Sequence, residues 1–74
     1  MTTPIYAKET LIKFKLQAAT ESGHGLRKRV LFSPADQVGH MAFDRLAALG
    51  LIRAEFHSDP ANMDSYYVYF WVGK

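Results

Sequence analysis

Five cations and three aromatic residues recur at alternate positions along this chain: Lys13, Lys15, Arg27, Arg29 and Arg53, then Tyr67, Tyr69 and Trp71. Aromatic rings are stacking platforms worth ~1–3 kcal/mol per base, and neighbouring cations follow phosphates. Tyr, Trp and Arg are equally the types enriched where proteins bind proteins. The same eight residues therefore suit two kinds of partner. A third reading needs no partner, because basic and aromatic neighbours stabilise an exposed sheet by cross-strand pairing and cation–π contact.

Other chemistry is thinly represented. His24, His40 and His57 could ligate a metal; His57 stands two residues before Asp59, and His40 four before Asp44. Neither pair brings a third ligand, and zinc sites use three or four. Solvated histidines account for all three, so no metal and no cofactor is expected. Ser22-Gly23-His24-Gly25 has two glycines but not the spacing of a phosphate loop. It reads as a turn. Ser33 is explained as a helix cap, and no pair of carboxylates converges for acid–base work. The chain reads as a binding protein and not as an enzyme.

The elements that must position these residues follow from periodicity. Ser33-Pro34-Ala35-Asp36 is a helix start: serine caps, proline suits the first turn, and Asp36 three residues on completes a capping box. The helix is predicted over about 34–49, with Gly50 as its left-handed stop. Ala35, Val38, Ala42, Leu46 and Leu49 form its inner stripe. Before it, Ile12, Phe14, Leu16 and Ala18 alternate with Lys13, Lys15 and Gln17, and Val30 and Phe32 alternate with Arg27 and Arg29. That pattern predicts a hairpin over about 10–32, turning at 21–25. Residues 51–57 and the aromatic run 66–72 predict a second hairpin over about 51–72.

The expected fold is thus α+β in the order ββαββ, one domain over 1–74, with a four-stranded antiparallel sheet and one helix across it. Ile12, Phe14, Leu16, Val30, Phe32, Ile52, Phe56, Val68, Phe70 and Val72 would face the helix. The eight cationic and aromatic residues would lie on the open face. On that reading, alanine at both Tyr69 and Trp71 removes a partner and leaves the fold intact.

Residues 38–53 carry a second pattern. Asp44-Arg45-Leu46 followed by Leu49-Gly50-Leu51-Ile52 resembles the recognition helix and the start of the wing in winged-helix regulators. The resemblance covers about the second half of the chain. It implies helices earlier on, one of them at about 26–32, and a closing hairpin that forms the wing. The period-2 alternation at 11–18 and the short Ser33-Pro34 link favour the ββαββ order instead.

With 74 residues, net charge +2 and no cysteine, a disulfide framework and thiolate metal sites are excluded. Residues 1–6 lack the basic and apolar regions of a leader, and no apolar run approaches a membrane span. A cytoplasmic protein without a membrane partner is expected. In size and general design the chain resembles the small inhibitors encoded by phages and mobile elements, anti-CRISPR proteins among them. That resemblance implies occlusion of a larger protein or nucleoprotein complex. Nucleic acid is the alternative partner, through the basic-aromatic face or a winged helix. A homodimer through the sheet face or the edge strand is the third.

Overall fold

The computed structural model describes residues 4–73. Three helices come first: α1 (Pro4–Glu21), α2 (Lys28–Leu31) and α3 (Gln37–Ala48). A two-stranded antiparallel sheet, β1 (Ile52–Asp59) and β2 (Asp64–Trp71), follows. The domain is α+β, but the four-stranded sheet and the ββαββ order are not found. Helices stand where the first hairpin was expected, and between them a single antiparallel bridge joins Leu26 to Tyr69.

The first helix shows why the alternation misled. Its sequence has no glycine, its one proline opens it, and alanine, lysine, leucine and glutamate supply much of its body. Ile12 and Leu16 are fully buried four residues apart, and Ile5 and Glu9 extend the same stripe. Phe14, expected inside, is 61% exposed. Apolar residues also line the outer side at Ala7, Leu11, Phe14 and Ala18. With two apolar stripes and lysines between them, every second residue of 12–18 is apolar by coincidence.

Both long helices end alike. Gly23 and Gly50 adopt φ of 83° and 76°. His24 N–H donates to the Ala19 carbonyl and Gly23 N–H to that of Thr20; Leu51 and Gly50 do the same to Leu46 and Ala47. These are Schellman caps, which need a residue free to turn left-handed. Residues 21–25 are therefore a helix stop and not a hairpin turn. The start of α3 is also displaced. Asp36 is its N-cap, accepting from Gly39 N–H at 2.9 Å, while Ser33 accepts from Ala35 N–H and closes the preceding turn.

The core lies between the three helices and the base of the sheet: Ile12, Leu16, Leu31, Phe32, Ala42, Phe43, Leu46 and Trp71. Trp71 is only 7% exposed. Thr20 fastens it to α1, accepting from Trp71 N–H at 2.9 Å and donating to the Leu16 carbonyl at 2.7 Å. The expected open face is thus inverted at its base. Trp71 and Tyr69 point into the core, so alanine there removes packing. Phe56, Val30 and Val72, expected inside, are exposed. Among the described residues no helix is long and apolar enough to cross a membrane.

Candidate nucleic-acid interface

Register fixes the two faces of the hairpin. Ile52, Ala54 and Phe56 oppose Trp71, Tyr69 and Tyr67; Arg53, Glu55 and His57 oppose Phe70, Val68 and Tyr66. On the first face, burial fades toward the tip. Tyr69 meets Phe43 edge-on at 4.8 Å, whereas Tyr67 meets its cross-strand neighbour Phe56 at 5.2 Å and Tyr69 at 6.4 Å, and is 51% exposed.

The Leu26–Tyr69 bridge brings the start of α2 against β2. Arg27, Lys28, Arg29, Tyr66, Tyr67 and Tyr69 consequently line one cleft of about 210 Å3. Arg27 stacks its guanidinium 4.2 Å from the centre of the Tyr66 ring, and His57 lies parallel to that ring on the hairpin at 5.5 Å. Lys28 rests its ammonium 4.8 Å from the Phe43 ring, so its stem is held while its charge stays at the surface. Burial, then the neighbouring Tyr67, pushes the Tyr69 phenol above its ordinary range. Like any tyrosine it is protonated at neutral pH and can donate a hydrogen bond.

A second hollow of about 140 Å3 adjoins the first. Lys28, Arg29, Phe32, Pro34 and His40 line it. His40 stands edge-on to Phe32 at 4.8 Å, and its Nε2 donates to the Pro34 carbonyl at 2.9 Å. Lys28 and Arg29 belong to both hollows and form the ridge between them.

Charge is distributed unevenly. Lys8 pairs with Asp36 at 2.8 Å, Arg45 with Glu9 at 2.9 Å, and Arg53 with Glu55 at 3.2 Å. The hydrogen bond from Lys8, then that from Gly39 N–H, lowers the Asp36 pKa; Arg53, then His57, lowers that of Glu55. Among the described residues, no carboxylate lies within ion-pair distance of Arg27, Lys28 or Arg29.

Of the eight residues expected to share a face, the structure brings four together: Arg27, Arg29, Tyr67 and Tyr69. Lys13 and Lys15 stand on α1 outside the cleft, Lys13 being 5.8 Å from the Trp71 ring. Arg53 lies on the other hairpin face, 4.5 Å from Phe70. Trp71 is core. Sequence reasoning missed Lys28 and Tyr66. The signal for Lys28 was the unbroken triplet Arg27-Lys28-Arg29, which a strand pattern splits between two faces.

Among the described residues no group of three or more histidines, aspartates and glutamates is placed to hold a metal ion. No family model, curated protein or solved structure matches this chain.

Proposed function

We propose that this chain is a nucleic-acid-binding module of winged-helix type, gripping the phosphate backbone at the cleft between α2 and β2. One observation carries the reading: three consecutive cations without a carboxylate partner among the described residues stand beside three tyrosines. Cations that grip phosphates must be open to the ligand, and among the described residues no carboxylate competes for these three. The element order supports the scaffold. Two helices precede α3, and an antiparallel hairpin follows Leu49-Gly50-Leu51-Ile52.

Charge reversal tests the reading. Arg27→Glu with Arg29→Glu should weaken binding of a labelled oligonucleotide at low salt by on the order of a hundredfold. Arg29 is exposed and Arg27 is half-buried against Tyr66, so circular dichroism checks that the fold survives the change. If the native protein shifts neither DNA nor RNA at low salt, the reading is wrong.

A second reading, occlusion of a protein or nucleoprotein complex in the manner of small phage-encoded inhibitors, draws on a different observation. Ala7, Leu11, Phe14 and Ala18 make an exposed apolar stripe along α1. Phe14→Glu separates the two: it would release a protein bound there and leave oligonucleotide binding at the cleft intact.

A further inference from the structure

We propose that the ligand of the cleft is a single strand of nucleic acid, with successive bases lodged in the two hollows and the phosphate between them on the Lys28–Arg29 ridge; this rests on the nucleic-acid reading above. The geometry alternates as a strand does. The half-exposed Tyr67 lines one hollow beside Tyr69 and beside Tyr66, whose ring already carries Arg27 and His57; Lys28 and Arg29 stand in the middle; and half-buried His40 lines the other over the buried Phe32. Rings can stack on a base only when it leaves its own stack, which a single strand allows and a duplex resists.

The parts that would seat a duplex lack the charge to do so. The outer stripe of α3 is Gln37, Met41, Asp44 and Ala48, all exposed, and its one charge is negative. Arg45, beside that stripe, is held by Glu9 at 2.9 Å and lies over the Tyr6 ring at 5.4 Å. A helix in the major groove runs between two phosphate backbones and needs cations along its flanks. The hairpin tip is no better. Asp59 and Asp64 bracket a turn that exposes Met63, and no lysine or arginine stands between Arg53 and the end of β2. The strongly negative minor groove attracts arginine and lysine and would repel this tip.

The experiment measures fluorescence anisotropy of a labelled oligothymidine of about a dozen nucleotides, its RNA equivalent, and the same DNA strand annealed to its complement. A single strand, DNA or RNA, should bind about tenfold tighter than the duplex. Tyr67→Ala should weaken it by roughly five- to tenfold. Gln37→Ala with Asp44→Ala should change nothing. Tyr67 touches only Phe56 among aromatic neighbours outside its own strand, and Arg29→Ala serves as a second variant if Tyr67→Ala perturbs the hairpin. Equal or tighter duplex binding, or sensitivity to Gln37 and Asp44, overturns the single-strand inference and leaves nucleic-acid binding standing. No binding to any of the three probes sinks the reading beneath it.

Discussion

The α2–β2 cleft and the outer stripe of α3 have opposite character. The cleft gathers Arg27, Lys28 and Arg29 with no carboxylate partner among the described residues; the α3 stripe offers Asp44 and a neutralised Arg45. In a winged helix the second of these would ordinarily do the reading. Here its polar side chains are Gln37 and Asp44, and no cation stands along it. Two of the neutralised cations tie helices together, Lys8–Asp36 and Arg45–Glu9 joining α1 to α3, while Arg53–Glu55 lies within β1. On the cleft Arg27 stacks on Tyr66 and Lys28 on Phe43, so these charges meet rings and, among the described residues, no carboxylate.

The largest effect should come from destroying the support that both regions share. Trp71→Ala removes a buried ring at the base of β2, which carries all three tyrosines of the cleft. It should cost ~3–5 kcal/mol, much of what a domain of this size has. Urea denaturation followed by far-ultraviolet circular dichroism measures it. A variant of native stability would mean that Trp71 does not anchor the hairpin.

A smaller change perturbs one side of the comparison. Gly39 lies in the first turn of α3, and a Cβ there would sit 2.6 Å from Cγ of Phe32. Phe32 is the floor of the second hollow. Gly39→Ala gains ~1 kcal/mol of helix propensity and loses ~1–3 kcal/mol to overpacking. The expected outcome is a modest drop in melting temperature and a few-fold loss of oligonucleotide affinity, read by thermal melts and anisotropy.

The smallest effect concerns the neutralised side. Lys8, then Gly39 N–H, holds the folded Asp36 carboxyl below its ordinary value. Its stabilisation is therefore complete above the ordinary carboxylate pKa of ~3.9 and is lost as pH falls through the lower folded value. Asp36→Asn keeps an N-cap but removes this titration. Melting temperature should decline less steeply below about pH 4 in the variant than in the native chain. Parallel acid limbs would show that the pair contributes nothing.

What was legible in the sequence was punctuation and composition. Gly50 is a helix stop, the aromatic run is a strand, residues 51–57 pair with it, and α3 lies within the expected 34–49. The first half was misread because α1 carries apolar residues on two sides. Gly23 held the correcting signal, since it stops α1 as Gly50 stops α3, but it stood among residues that suit a hairpin turn as well. For the site, the residue types were legible and their grouping was not. Arg27 and Tyr66 are far apart in sequence, and only the Leu26–Tyr69 bridge makes them neighbours. Trp71 was assigned to the wrong face because period 2 separates faces without saying which is inner.

The salt dependence of binding tests the central claim most directly. Each cation that neutralises a phosphate adds roughly 0.7 to the slope of log affinity against log salt on a single strand. Arg29→Gln should lower that slope by about this amount, while Arg53→Gln, whose charge Glu55 already neutralises, should leave it unchanged. Equal slopes for native protein and Arg29→Gln, or a larger loss from Arg53→Gln, would contradict the assignment of the cleft as the phosphate-binding surface.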